Sequence, residues 1–151
     1  MNPTQNQAPG LDLSPAEVLR CAAVYLARHG FHQGDMFAVT TDAFPAACAQ
    51  GAVKMAICGH PYARYTREQG LLFDRVMNTL VAYLDTKFNL LPVDDEDSDE
   101  YAEPFQAVAD WNDETGRTAA QLVTVLNRAA DEWEFFHQIC PTRERTSGGV
   151  R

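Results

Sequence analysis

Apolar residues recur at helical spacing in four stretches of the chain, and the polar residues between them supply starts and stops. Ser14-Pro15-Ala16-Glu17 reads as a helix start. Ser14 can accept from the Glu17 amide, Pro15 suits the first helical position, and Glu17 can reach back to Ser14. The helix is expected to run to about His29, with Gly30 just past its end. Val18, Leu19, Ala22, Ala23, Tyr25 and Leu26 form one apolar stripe along it. Residues 31–45 contain Gly34, Asp42 and Pro45 around a brief apolar run, Met36–Val39, which predicts a loop with room for one short strand.

A second helix is expected over Ala46–Cys58, stopped by Gly59 and Pro61. Its Ala- and Gly-rich surface lets neighbours approach closely, so it should be the most buried helix. A third is expected from about Thr66 to Phe88, where Phe73, Met77, Leu80, Leu84 and Phe88 recur at spacings of 4, 3, 4 and 4 while Asp74, Arg75, Asn78 and Asp85 face out. Pro92 ends it, and Pro104–Asp110 suggests a short helical turn. The last helix begins at the capping box Thr118-Ala119-Ala120-Gln121. Leu122, Val125, Leu126, Ala129, Trp133 and Phe136 then make one core face, with Phe135 off it. The fold class that follows is mainly α: a compact bundle of about four helices carrying an acidic loop. Polar stretches at 1–12 and 141–151 read as flexible tails around a single helical domain at 13–140.

Charge sharpens this picture. The formal net charge of the 151 residues is −9, and seven of the 21 acids lie within residues 94–103. The other 14 acids face 12 bases, so the expected folded body is nearly neutral beside one very acidic loop. No basic stripe is available for phosphates, which argues against nucleic acid as a partner. An anionic membrane would repel the chain, and no run of about 18 apolar residues could span one. MNPTQNQAPG has neither the basic nor the apolar region of a signal peptide, so the expected location is cytoplasmic. Cys21, Cys48 and Cys58 sit among Ala, Val and Ile, as buried reduced thiols do.

Candidate chemistry is sparse. Trp111-Asn112-Asp113 followed by Gly116-Arg117-Thr118 reads as a polar turn before the last helix, whose free amides could receive an anion. Trp111, Asn112, Asp113, Arg117 and Thr118 are therefore the candidate ligand-binding residues. The structural alternative is a capped turn in which Trp111 anchors the core and Asp113 pairs with Arg117. Cys48, early in the second helix, is a candidate nucleophile, with His60 and Asn112 or Asp113 as partners. The simpler account of Cys48 is a small core residue. His29, His32, Cys58 and His60 have ligand chemistry but loose spacing, and histidine near a helix end is already explained by the dipole. No metal and no cofactor is expected. The acidic run lacks the glycine and final glutamate of an EF-hand loop, so it reads as a solvated loop or a lure for a basic partner. An exposed Phe135 suggests a self-association patch and a homodimer.

The assembled pattern resembles a group of small actinobacterial and actinophage proteins of unknown function. The residues that carry the resemblance are Arg28-His29-Gly30-Phe31, Gln33-Gly34, Ala47-Cys48-Ala49-Gln50-Gly51-Ala52, and Trp111-Asn112-Asp113 with Gly116-Arg117-Thr118. It spans about residues 17–130 and implies no substrate, cofactor or catalytic residue; the acidic run looks like a local departure from it. Two functional classes follow. One is a small intracellular protein-interaction or regulatory module with no enzymatic activity. The other is a small enzyme or ligand-binding protein whose site lies where the end of the second helix (Gly59, His60, Tyr62, with Arg64 and Tyr65 nearby) meets the Trp111–Thr118 loop, using Cys48.

Overall fold

The computed structural model describes residues 12–91 and 103–139. The expected tails, the acidic stretch and Cys140 lie outside the described residues, apart from Asp12 and Glu103. Five helices account for the described fold: α1 (Pro15–His29), α2 (Ala49–Cys58), α3 (Arg67–Phe88), α4 (Pro104–Asp113) and α5 (Ala119–Ile139). The sequence predicts about four, and the addition is α4.

Local chemistry starts three of these helices. Ser14 Oγ accepts from Glu17 N at 3.2 Å while Ser14 N donates to the Glu17 carboxylate at 2.7 Å. Thr118 and Gln121 make the same reciprocal pair at the head of α5, at 3.2 and 2.9 Å. Thr66 and Gln69 form a third such box at the head of α3. Gly30 and Gly59 end α1 and α2 at positive φ, 101° and 69°, a conformation that costs glycine little.

α1 packs along α5 and α2 and also touches α3, while α3 meets α2, α4 and α5. Leu19, Leu26, Val76, Leu80, Leu84, Leu122 and Leu126 are completely buried in the shared core. Burying each of these side chains stabilises the fold by about 1.5–3 kcal/mol. More than half of α2 is buried, a larger share than of α1, α3 or α4, as its small residues predict. Outside the core, Arg20 of α1 reaches Asp131 and Glu134 of α5 at 2.6 and 3.1 Å.

Five expectations are corrected. α2 starts at Ala49 rather than Ala46, because Ala46–Cys48 is extended and pairs with two passes of the preceding loop. Ala47 bridges Phe31 in parallel and Phe37 in antiparallel fashion, and these isolated bridges stand where the sequence leaves room for one short strand. His32 N donates to Ala47 O and Cys48 N to Met36 O, at 2.9 and 3.0 Å. Trp111, Asn112 and Asp113 are not a loop but the last turn of α4, which begins with Pro104 under a Glu103 cap. Phe136 and Phe88, placed on core faces by periodicity, are 58% and 52% exposed. Cys21 is exposed, whereas Cys48 is buried and Cys58 half-buried.

Candidate functional site

The end of α4 presents two chemistries on adjacent residues. Asn112, 1% exposed, faces inward to the junction of three segments. Its Oδ1 accepts from Ala49 N at 2.9 Å, which occupies one free amide at the start of α2. Its Nδ2 donates to His32 O at 3.3 Å and to Asp113 Oδ1 at 2.9 Å. Asp113 Oδ1 also accepts from Gly34 N at 3.0 Å, and Gln33 Nε2 donates to the Asn112 and Glu114 carbonyls at 3.0 and 3.1 Å. The result is a polar knot joining the 30–34 loop, the head of α2 and the tail of α4. Both amide hydrogens and the amide oxygen have partners, which is why an uncharged but strongly polar side chain can be buried there.

Gly51 completes the knot from the other side. A Cβ built on it would lie 2.3 Å from Met36 O. The extended loop can cross the first turn of α2 only because this position carries no side chain.

Cys48 belongs to the same region and is the N-cap of α2, its Sγ accepting from Gly51 N at 3.4 Å. Burial pushes its thiol up from the ordinary cysteine range, and the nearby Asp113 carboxylate adds to the effect. Desolvation therefore outweighs the thiolate-favouring helix terminus. The suggested nucleophilic set is not assembled. Asn112 and Asp113 stand at the head of α2, whereas His60 follows its far end, about 15 Å away at the helical rise of 1.5 Å per residue. Tyr62 shares that far end, edge-on to His60 and Phe37. A site between the end of α2 and the Trp111–Thr118 segment is thus not formed.

The histidines and Cys58 are used separately. His29 stacks between Tyr25 and Phe44, and His60 Nδ1 accepts from Tyr62 N at 3.1 Å. Among the described residues no three His, Cys, Asp or Glu side chains are grouped as a metal site. Cys58 and Tyr65 are both pushed up by burial, and the Tyr65 hydroxyl is buried with no hydrogen-bond partner among the described residues.

Trp111 faces away from the knot, into a cavity of about 350 Å³ between α3, α4 and α5. Phe88 packs on Trp111 with ring centroids 5.8 Å apart, and Tyr83 and Val125 extend the apolar wall. Arg117 covers Trp111, its guanidinium carbon 3.8 Å from the ring centroid. Such a contact contributes about 1 kcal/mol. Arg117 Nε donates to Trp111 O at 3.0 Å, and its Nη2 pairs with Glu114 rather than with Asp113 as the sequence suggested. Gln121, Thr124 and Arg128, one polar stripe of α5, complete the rim. Arg128 is exposed and makes no hydrogen bond or ion pair with any described residue. A second groove of about 340 Å³ adjoins the first at Tyr83 and Arg128 and runs towards Lys87, Glu132 and Phe135.

The five candidate binding residues therefore divide. Trp111 and Arg117 line the cavity, Asn112 and Asp113 hold the knot, and Thr118 caps α5. The expected anion position at the head of α5 is partly consumed from within. Arg117 N donates to Glu114 O, and the Thr118 and Gln121 amides are taken by the capping box. Sequence reasoning missed Tyr83, Phe88, Gln121, Thr124 and Arg128. The visible signal was the 121, 124, 128 spacing, which puts a hydroxyl, an amide and a guanidinium on one side of α5 beside the core stripe.

No helix among the described residues is long and apolar enough to cross a membrane. Residues 30–34, the head of α2 and the end of α4 meet at the knot and the adjoining cavity. No curated protein and no solved structure matches the chain. Residues 11–132 match a family of unknown function, DUF6197, and the chain belongs to that family.

Proposed function

We propose that this chain is an intracellular, non-catalytic regulatory module that binds a small organic ligand in the cavity beside Trp111. The observation that carries this reading is the cavity's make-up. Its volume of about 350 Å³ suits a small molecule, its walls are aromatic and aliphatic, and a few polar groups converge at one rim. The described lining has hydroxyl, amide and guanidinium groups but no thiol, imidazole or carboxylate to act as nucleophile or general base. Binding is the chemistry those residues can perform. The thiols of Cys21, Cys48 and Cys58, unpaired among the described residues, are compatible with a reducing compartment.

The test is a fragment screen read by amide NMR. Bound fragments should shift the amides of Trp111, Ala120 and Val125 in the native protein, and Thr124→Trp, which fills the cavity from its rim, should abolish those shifts. A diverse library that leaves these amides unmoved would remove the reading.

Interaction with another protein is a second reading, supported by a separate feature. Phe135 and Phe136 are each 58% exposed, with ring centroids 5.7 Å apart. Adjacent exposed aromatics are costly to leave in water and suit a homodimer contact. Sedimentation of the native chain and of Phe135→Ser/Phe136→Ser decides it: a native protein that stays monomeric at high micromolar concentration excludes a dimer through this pair.

A further inference from the structure

The charges around the cavity narrow what it can hold. Arg117 is already neutralised by Glu114 and fixed over Trp111. Arg128 stands at the same rim with no partner among the described residues. The described lining therefore carries one uncompensated positive charge above an apolar wall. The adjoining groove is mixed in charge: Lys87, whose ammonium stands over the Tyr83 ring, lines it together with Asp131 and Glu132, and Asp131 is itself held by Arg20. On the Trp111 side of Arg128 a ligand's negative group meets a described lining free of carboxylates, whereas on the groove side it meets Glu132.

Resting on the binding reading, we propose that the cavity takes a flat apolar monocarboxylate, an aryl carboxylate being the simplest member of the class. Its planar body lies against Phe88 and Tyr83, since the guanidinium of Arg117 covers a face of Trp111. Its carboxylate meets the fork of Arg128, whose paired donors match two carboxylate oxygens. Thr124 and Gln121 stand beside that position and can donate to the same oxygens. One unpaired guanidinium matches one negative charge, so a dianionic phosphate ester would bring a charge that no described lining residue neutralises.

The experiment uses the full chain carrying Trp133→Phe, so that fluorescence reports Trp111, the other of the two tryptophans. Its fold is checked by circular dichroism. The probes are 2-naphthoate, its neutral isostere 2-naphthamide, and 2-naphthyl phosphate. The expected result is at least about tenfold tighter binding of naphthoate than of either other probe, the worth of one charge-assisted pair. Arg128→Gln, a change at an exposed position, should bring naphthoate to the affinity of naphthamide. Equal binding of naphthoate and naphthamide overturns the carboxylate while leaving the cavity reading intact. Tighter binding of the phosphate overturns the monoanion. Failure of all three probes, together with an empty fragment screen, overturns both readings.

Discussion

Trp111 and Asn112 are neighbours in one helical turn, yet they serve opposite sides of the molecule. The Asn112 side is closed: every polar atom of its amide has a partner, and the loop, α2 and α4 are tied through it. The Trp111 side is open: Phe88 is half exposed and Arg128 is unpaired among the described residues, around a cavity. The difference separates two kinds of cost. A change on the closed side strands groups that water cannot reach, so it should register as lost stability. A change on the open side alters groups that water already reaches, so it should register as lost binding.

Asn112→Ala is the sharpest way to break that contrast. It leaves Ala49 N and His32 O without their side-chain partner, each stranded group costing about 1–3 kcal/mol. A loss of about 3 kcal/mol is expected in urea unfolding, while the affinity of a cavity probe for the folded protein changes by less than about twofold, since additivity holds for groups with no shared contact. A loss below about 1 kcal/mol would mean that the knot does not hold the three segments.

Gly51→Ala comes next. Alanine favours a helix interior over glycine by about 1 kcal/mol. Here the new methyl would meet Met36 O, a backbone atom, at 2.3 Å. The loop must shift, which breaks its pairing with Ala47 and Cys48. Overpacking of this kind costs about 1–3 kcal/mol, so the net change is destabilising. A higher melting temperature for Gly51→Ala would show that the close approach is not required.

These two residues also mark where the sequence was legible. Helix starts at Ser14 and Thr118 were readable because a capping box is complete within four residues, and the α3 stripe because its period repeats over six turns. The head of α2 was not. Ala46–Cys48 has good local helix-forming character, and only its pairing with Phe31 and Phe37, far back in the chain, holds it extended. The end of α4 was misread for a related reason. Asn-Asp is a turn signal when its polar atoms serve nearby backbone, but Asn112 bonds Ala49 and His32, 63 and 80 residues away. The cavity was half legible: Trp111 and Arg117 stood out as a motif, but Phe88 fitted the core period and so concealed that it walls a site.

High pH probes the closed side by another route. Burial raises the Cys48 thiol above the ordinary cysteine value of 9.0 in the folded chain. The unfolded thiol ionises first, so the unfolded state binds fewer protons and stability falls as pH rises. The contribution is complete below about pH 9 and is lost as pH climbs towards the raised folded value. The slope approaches about 1.4 kcal/mol per pH unit for one group. Cys58 and Tyr65 are raised in the same direction and add to it. Urea midpoints measured at pH 8 and pH 10 should therefore differ, and Cys48→Ala should flatten the dependence. An unchanged slope in that variant would mean that the thiol ionises as easily in the fold as out of it, reopening its candidacy as a nucleophile.

Arg128→Gln carries the smallest effect on stability. The side chain is exposed and has no hydrogen-bond or ion-pair partner among the described residues. Surface changes of this kind usually fall within about 0.5 kcal/mol. Glutamine is also nearly as good a helix former as arginine. Arg117→Lys, just before the start of α5 on the same rim, provides the graded case. It keeps the charge but loses the flat contact with Trp111 and the Nε bond to Trp111 O, so about 1 kcal/mol should be lost. The ordering Asn112→Ala, Arg117→Lys, Arg128→Gln therefore follows how much of each polar group is already committed within the fold. If Arg128→Gln lowered stability as much as Arg117→Lys, Arg128 would be committed as well, and the open side would have no free cation with which to bind an anion.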